Sequence, residues 1–174
     1  LLLIEAIEGI TAQDAHIAGY VLEARKSCVV VVNKWDAIEK DTHTMVAFTE
    51  KIRQDLNFMD YVPLLFISAK TGQRVEQVMP MALKVQEERL ARLTTSSLNR
   101  ILQHVQDMHT PSRAGRVFKM YYGTQVRSDP PTFLIYCNEP KLAHFTFVRF
   151  IENTIRKEYP FTGTPIHIVF KKRS

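Results

Sequence analysis

Three polar residues whose side chains suit the binding of a heterocyclic base follow a run of valines. Asn33, Lys34 and Asp36 stand in the stretch VVVVNKWD, at the end of an apolar run typical of a buried strand. A carboxylate can accept from two adjacent donors, an amide offers a donor and an acceptor, and a lysine stem can lie on a ring. The intervening Trp35 is expected to pack. The pattern indicates either a base-binding site or a polar loop in which Asp36 caps a turn.

A second polar turn follows the next apolar run along the chain. Ser68, Ala69 and Lys70 come directly after PLLFI, another run typical of a buried strand. In an open sheet of parallel strands, ligands bind beyond the carboxyl ends of the strands. We therefore expect the two turns to face one another at one edge of a sheet.

Guanine is the base that these groups would select. Its N1–H and its exocyclic amino group are adjacent donors, which Asp36 would accept together. Adenine has neither donor at those positions and would leave the carboxylate unpaired, at a cost of roughly 1–3 kcal/mol. Asn33 would contact the base and the neighbouring loops, Lys34 would lie on the purine, and an amide N–H near Ala69 would reach O6. The sequence thus predicts a guanine site, with plain polar loops as the alternative.

The elements that would position these turns alternate between strands and helices. The runs LLLIEA, CVVVV and PLLFIS predict three strands of a parallel sheet that is covered on both faces. One helix is predicted to start at Thr11, which has the Ser/Thr-x-x-acid pattern of a helix start with Asp14. Further helices are predicted over residues 43–56 and 75–93. This order predicts an α/β fold with a doubly wound parallel sheet.

The composition changes at TTSS, residues 94–97, and we place a domain boundary between residues 93 and 94. Beyond it, the periodicity predicts helices over residues 98–108 and 142–157. Strands are predicted over residues 116–122, 132–137 and 166–170. The resulting α-β-β-α-β order indicates a small α+β domain.

The two predicted domains differ in charge. Residues 1–93 carry 11 Lys+Arg and 13 Asp+Glu, a net charge of −2, whereas residues 94–174 carry 12 Lys+Arg and 5 Asp+Glu, a net charge of +7. A basic domain next to an acidic one suggests an anionic partner such as nucleic acid for the second domain. A basic surface that is merely solvated is the alternative.

Several other functional classes are not indicated. No apolar run approaches the roughly 20 residues of a membrane span, so we expect no membrane partner. Cys28 and Cys137 are far apart and have no metal-ligand spacing, which is typical of a reduced, cytoplasmic protein. The histidines form no cluster suited to a metal, and Ser68 has no partner pattern of a hydrolase triad. We therefore assign no metal ligand and no catalytic residue.

The phosphate-binding half of a nucleotide site is missing from the sequence. There is no G-x-x-x-x-G-K-[ST] loop and no Asp-x-x-Gly, the usual source of an acidic residue linked to Mg²⁺ and of a γ-phosphate sensor. The chain opens on LLLIEAIEGI without a Met, which we interpret as an internal strand. We expect the chain to be a fragment of a longer protein that lacks the N-terminal, phosphate-binding part of its nucleotide domain.

Two blocks of the chain resemble the C-terminal part of the EngA/Der GTPases, bacterial proteins with two tandem G domains and a KH-like terminal domain. EGITAQDAHIAGYVLEARKSCVVVVNKWD resembles the second half of the second G domain. The residues from YYGTQ through PPTF to GTPIHIVF resemble the terminal domain. Era-type GTPases also join a G domain to a KH domain, but they do not share this second series.

The resemblance implies a partial G domain over residues 1–93 and a KH-like domain over residues 94–174. It also implies that GTP or GDP is the ligand, with Asn33, Lys34 and Asp36 recognising guanine and residues 68–70 forming the second base-contacting loop. Mg²⁺ would serve the intact protein, which would act in assembly of the large ribosomal subunit. Because the phosphate motifs are missing, we expect the fragment itself not to hydrolyse GTP. Glu5 stands where the family more often has Asp.

Binding of ribosomal RNA by the second domain is expected to differ from that of an ordinary KH domain. KH domains grip the backbone with a GxxG loop, whereas the loop after the first helix here reads HTPSRAGR. The predicted phosphate contacts are Arg113, Arg116, Lys119, Arg127, Lys171, Lys172 and Arg173. The aromatic residues that would either stack on bases or pack within the sheet are Tyr121, Tyr122, Phe133 and Tyr136. The alternative to a GTPase fragment is a non-enzymatic module that binds rRNA or the ribosome and keeps a vestigial G-domain scaffold.

Overall fold

The computed structural model describes residues 1–173, which form two units. The first unit comprises Leu1–Glu88 and Thr162–Pro165, and the second comprises Arg89–Phe161 and the residues from Ile166 onward. The division falls a few residues before the boundary predicted between residues 93 and 94. No local pattern in the sequence indicated that the short segment Thr162–Pro165 belongs with the first unit.

The first unit is built on a three-stranded parallel sheet. Its strands, in spatial order, are β1 (Leu2–Glu5), β2 (Val30–Asn33) and β3 (Leu64–Phe66). The first three helices of the chain are α1 (Ala12–Glu23), α2 (Thr44–Asp55) and α3 (Val78–Leu90). The predicted alternation of strands and helices in an α/β fold is confirmed.

The valine run is buried on both faces of the sheet. Val30 and Val32 belong to one apolar cluster together with Trp35, whereas Val29 and Val31 belong to a second cluster on the other face. Side chains along a strand alternate between the two faces, so four consecutive valines fit a central strand that is covered on both sides.

The helix boundaries follow local hydrogen bonds. Thr11 caps α1 as predicted, since its hydroxyl accepts from the Asp14 amide at 3.2 Å and the Asp14 carboxylate accepts from the Thr11 amide at 2.9 Å. The helix predicted over residues 75–93 is shorter, because Val75–Gln77 form a 3-10 turn before α3. At its other end, the Leu93 amide donates to Oε1 of Gln125 instead of continuing the helix.

The second unit packs helices against a mixed three-stranded sheet. A two-stranded hairpin of β4 (Ser112–Arg113) and β5 (Arg116–Val117) precedes the sheet. The sheet consists of β6 (Met120–Ser128), β7 (Pro131–Cys137) and β8 (His167–Lys172), with β6 antiparallel and β8 parallel to β7. The helices are α4 (Thr95–Met108) and α5 (Phe145–Glu158), and the core includes Phe133, Phe147 and Ile151.

The strand predicted over residues 116–122 was wrong as a single element. Phe118 lies in the core and its amide donates to the Pro111 carbonyl, while the Lys119 amide donates to Oδ1 of Asn138 at 2.9 Å. These two residues therefore leave the ladder and separate β5 from β6. The predicted α-β-β-α-β order is otherwise present, with the hairpin added.

Side chains of α4 cover the free edge of β6. Asn99 accepts from the Gly123 amide at 2.9 Å and donates to the Gly123 carbonyl at 2.8 Å. Gln106 accepts from the Met120 amide at 2.6 Å. These bonds satisfy backbone groups that an unprotected edge strand would offer to another chain.

Over residues 1–173, none of the helices combines the length and the apolar character that crossing a membrane would require.

Candidate functional site

The two polar turns lie side by side at the carboxyl ends of β2 and β3. The Ile67 amide donates to the Val32 carbonyl at 2.8 Å, and the Trp35 amide donates to the Ile67 carbonyl at 3.1 Å. The ladder between the two strands thus continues into both turns. The structure thereby brings Asn33 and Asp36 next to Ser68.

Two hydrogen bonds connect the turns directly. The Ser68 hydroxyl donates to Oδ1 of Asp36 at 2.6 Å, and the Ala69 amide donates to Oδ1 of Asn33 at 3.0 Å. The second bond shows that the amide expected to reach guanine O6 already has a partner within the protein. Asn33 therefore positions the second loop, as one of the two roles expected of it.

The loop after β3 is folded around Ser68. Its hydroxyl accepts from the Thr71 amide at 3.1 Å while donating to Asp36, and the Gly72 amide donates to the Ser68 carbonyl at 2.9 Å. Gly72 has φ of +79°, a left-handed conformation that favours glycine. A buried serine thus fixes both its own turn and the carboxylate opposite.

The Asp36 carboxylate is exposed and held in its ionised form. The hydrogen bond from Ser68 lowers its pKa below the usual range, and the positive charges of Lys70 and Lys40 lower it further. An ionised carboxylate accepts from two donors at once, which is the property needed for the adjacent N–H groups of guanine.

Lys34 pairs with an acidic residue from the neighbouring strand. It has φ of +62°, and its Nζ lies 2.6 Å from Oε1 of Glu5. Glu5 is the register neighbour of Asn33, which explains how it reaches this turn. The hydrogen bond with Glu5 raises the pKa of Lys34. Sequence reasoning gave Glu5 no role, although an acid at the end of a strand next to β2 was the available signal.

Trp35 anchors the first turn in the core, as expected. Its ring is 1% exposed and packs edge-on against Phe48 at 5.2 Å and tilted against Phe66 at 4.7 Å. Lys40 donates to the Trp35 carbonyl at 2.8 Å and lies 5.7 Å from the centroid of its ring. Sequence reasoning missed Lys40; its place four residues after Asp36 was the only local signal.

A cleft of about 310 Å³ opens between the turns and is lined by Asn33, Lys34, Asp36, Ala37 and Lys70. A separate groove of about 220 Å³ runs between the loop after β1 and α2, where Ile7 and Phe48 are among the lining residues. That groove includes none of the predicted site residues. The convergence of polar groups favours the first cleft as the binding site.

The predicted RNA contacts are all exposed but do not form one cluster. Arg113 and Arg116 face each other across the β4–β5 hairpin. Lys119 and Arg173 flank the ring of Tyr121, at 5.6 and 5.2 Å from its centroid. The remaining members lie on the strands of the sheet or at its end, namely Arg127, Lys171 and Lys172.

The aromatic candidates separate into two groups. Phe133 is fully buried in the core of the second unit, so of its two expected roles the structure shows packing and excludes stacking on a base. Tyr121 and Tyr122 are 41% and 46% exposed, and Tyr136 is partly exposed. Of the four aromatic candidates, only Phe133 points into the core, and the three tyrosines keep exposed surface.

Within the part of the chain that the structure describes, no group of three or more His, Cys, Asp or Glu side chains is arranged to hold a metal ion.

Comparisons with known proteins match both units. Residues 1–89 match the family model described as the elongation factor Tu GTP binding domain. Residues 92–171 match the model described as the KH-domain-like region of EngA bacterial GTPase enzymes, C-terminal.

Two curated relatives illustrate the similarity over the whole chain. The chain is 52% identical over 174 residues to "GTPase Der" of Caldanaerobacter subterraneus subsp. tengcongensis, covering 99% of this chain and 40% of that protein. It is 45% identical over 175 residues to "GTPase Der" of Chloroflexus aggregans, covering 99% of this chain and 39% of that protein. The chain therefore spans about 40% of the length of these relatives. Both the family models and the relatives show that the chain belongs to the EngA/Der family of GTP-binding proteins.

Proposed function

We propose that this chain supplies the guanine-recognition half of a GTP-binding site in a GTPase of large ribosomal subunit assembly, and that its second unit binds ribosomal RNA. The base would be held by Asn33, Lys34 and Asp36, together with the loop of Ser68, Ala69 and Lys70.

The hydrogen bond between Ser68 and Asp36 is the observation that carries the nucleotide proposal. It aligns one carboxylate oxygen with the second loop and lowers the pKa of the carboxyl, so that an ionised acceptor stands at the cleft. Guanine offers two adjacent donors to such a group. The exposed stem of Lys34 is tethered beside the cleft by Glu5 and would cover one face of the purine.

The residues of the two turns would hold only the base of the nucleotide. The phosphates of GTP and the Mg²⁺ that would accompany them need the loop motifs that are missing from this sequence. Hydrolysis at the γ-phosphate is therefore assigned to no residue of this chain. In the intact protein, Mg²⁺ would neutralise charge that develops on the phosphates.

Ligand-observed NMR with nucleosides tests the guanine assignment without phosphates. We expect the chain to bind guanosine more tightly than inosine, which lacks the exocyclic amino group, and to bind adenosine least. Asp36→Asn should weaken guanosine binding by about tenfold or more, because the amide offers only one acceptor oxygen and places a donor against a donor.

Asp41→Asn is the matched control. Asp41 is another exposed aspartate with a lowered pKa, but it accepts from the His43 amide and from Thr44 and is not among the residues that line the cleft. Its substitution should leave guanosine binding unchanged. Equal binding of guanosine and adenosine, or an Asp36→Asn variant that binds like the wild type, would refute the assignment.

A non-enzymatic RNA-binding module is the second candidate. The net charge of +7 over residues 94–174 and the lack of a phosphate-binding loop favour it. Under this reading the chain would bind RNA but would not distinguish guanosine from adenosine. The same NMR experiment therefore separates the two candidates.

A further inference from the structure

We infer that single-stranded RNA binds across the open face of the β6–β7–β8 sheet, with bases stacked on Tyr122 and Tyr136. This inference rests on the proposal that the second unit binds ribosomal RNA, and it names the surface and the form of the RNA. We call this surface the tyrosine face; it is defined by Tyr122, Tyr136 and Lys171 and by the side chains on the same side of the sheet.

One row of residues runs across all three strands. Tyr122 is the register partner of Tyr136, and Tyr136 is the register partner of Lys171. The two rings lie 6.5 Å apart with an interplanar angle of 37°. Register partners point to the same side of a sheet, so two aromatic rings and an ammonium group line up across it.

The row lies on the side of the sheet opposite the core. Along β7, Phe133, Ile135 and Cys137 are fully buried, so the alternate residues Leu134 and Tyr136 point the other way.

The rest of this face carries no negative charge. The partners of Leu134 are Thr124 and Val169, and Thr132 is paired with Arg127 and His167. A face without carboxylates does not repel a polyanion.

Cations stand at both ends of the face. At one end, next to Tyr122, the ring of Tyr121 has the Arg173 guanidinium 5.2 Å and the Lys119 ammonium 5.6 Å from its centroid. At the other end lies Arg127, whose partner Thr132 is four residues from Tyr136 along β7. At a rise of about 3.3 Å per residue, the two ends are roughly 13 Å apart. Phosphates of one short strand can therefore reach cations at both ends while its bases lie between.

Single-stranded RNA fits this combination better than duplex RNA or a protein. Base–aromatic stacking tolerates any sequence because every base has a flat π face, and positive charges along the track hold the backbone. Bases within a duplex are stacked on one another and cannot reach such rings. A protein partner would ordinarily meet an apolar patch with few charges at its centre.

Fluorescence anisotropy with a labelled oligouridylate, measured over a range of salt concentrations, tests the inference on the full chain. Tyr122→Leu and Tyr136→Leu should each weaken binding by about tenfold. The slope of log K against log salt should stay unchanged in both. Lys171→Ala and Arg173→Ala should each reduce the magnitude of that slope by about one.

Controls separate stacking from structure and from general charge. Tyr122→Phe should retain wild-type affinity because it keeps the ring. Tyr20→Leu removes another exposed tyrosine, 68% exposed in the first unit, and Lys157→Ala removes an exposed cation of α5; neither should alter binding. Thermal unfolding of each leucine variant should match the wild type.

Each of the other outcomes counts against the inference. If the chain binds the oligonucleotide with a steep salt slope but both leucine variants bind normally, the tyrosine face is wrong and the proposed RNA binding stands. If neither single-stranded nor duplex RNA is bound, the tyrosine face and the proposed RNA binding by the second unit both fail, whereas the guanine proposal is unaffected. If polyglutamate binds as tightly as RNA and loses affinity in the leucine variants, the face belongs to an acidic protein partner.

Discussion

Ser68 and Asp36, 32 positions apart in the sequence, are joined by a hydrogen bond of 2.6 Å from the serine hydroxyl to a carboxylate oxygen. Ser68 is fully buried while Asp36 is exposed, so the bond ties an open carboxylate to a fixed point of the fold. The position and the ionisation of the proposed guanine acceptor thus depend on a residue that need not touch the base.

Ser68→Ala should raise the pKa of Asp36 towards its ordinary value, since the largest cause that lowers it is removed. A lowered folded-state pKa stabilises the protein above the unfolded-state pKa of about 3.9 and ceases to do so as the pH falls through the folded-state value. The advantage of the wild type over the variant should therefore shrink in acid. NMR titration of the Asp36 carboxyl carbon measures the shift. Ser112→Ala is the control, and an Asp36 pKa that ignores the loss of Ser68 would contradict our account.

Glu5→Gln should lower the pKa of Lys34, because the hydrogen bond with Glu5 is the largest cause that raises it. The raised pKa contributes stability below the unfolded value of about 10.4, and this contribution is lost as the pH rises through the folded value. Guanosine affinity should fall less than about fivefold, since exposed ion pairs are weak. Titration of the Lys34 side chain by NMR measures the change, and Glu23→Gln should leave it unaltered.

Gly163→Ala should destabilise the first unit by about 2–5 kcal/mol, the sum of left-handed strain and overpacking. Gly163 has φ of +68°, and a Cβ there would lie 2.7 Å from the Cys28 carbonyl oxygen and from a methyl group of Val85. Urea unfolding can be followed by the fluorescence of Trp35, the single tryptophan and a core residue of this unit.

Gly72→Ala is the matched control for that substitution. Gly72 has φ of +79°, but a Cβ there would meet nothing within 4 Å. Its substitution should cost only the strain, about 1–2 kcal/mol. Equal losses in the two variants would show that the contacts of Gly163 contribute nothing.

Asn99→Ala should destabilise the second unit by about 1–3 kcal/mol, because it leaves the buried Gly123 amide and carbonyl without their side-chain partner. It should also promote self-association through the opened edge of β6. Thermal unfolding and size-exclusion chromatography test the two effects. Asn153→Ala, an exposed asparagine on α5, should change stability by no more than about 0.5 kcal/mol. If the Asn99→Ala variant stays monomeric and as stable as the wild type, the Asn99 side chain is not needed to protect the free edge of β6.

Local sequence patterns were sufficient where local interactions decide the structure. The cap formed by Thr11 and Asp14 lies within one helical turn, and the valine run of β2 is set by burial on both faces. Local patterns also predicted that NKWD lies at the end of a strand and that a second polar turn follows the next strand. The guanine assignment itself stays a prediction.

Contacts between distant parts of the chain could not be predicted from the sequence. The pair of Lys34 and Glu5 depends on the register between β1 and β2, and the break between β5 and β6 depends on the burial of Phe118 in a core made by other elements. Whether Phe133 stacks on bases or packs in the core could not be decided from the sequence for a related reason. Alternation shows that two faces differ, but the face that meets the helices is decided by tertiary packing.

The first unit can be completed only after most of the second has been synthesised, because it includes the short segment Thr162–Pro165. The Cys28 amide and the Tyr61 carbonyl are both hydrogen-bonded to Gly163, so these groups of the first unit lack their partner until that residue has been made. At about 5–20 residues per second, the roughly 75 residues between Glu88 and Gly163 take on the order of 4–15 s to synthesise. During that interval the newly made first unit lacks the hydrogen bonds of Gly163. A nascent chain that ends before Thr162–Pro165 never forms them.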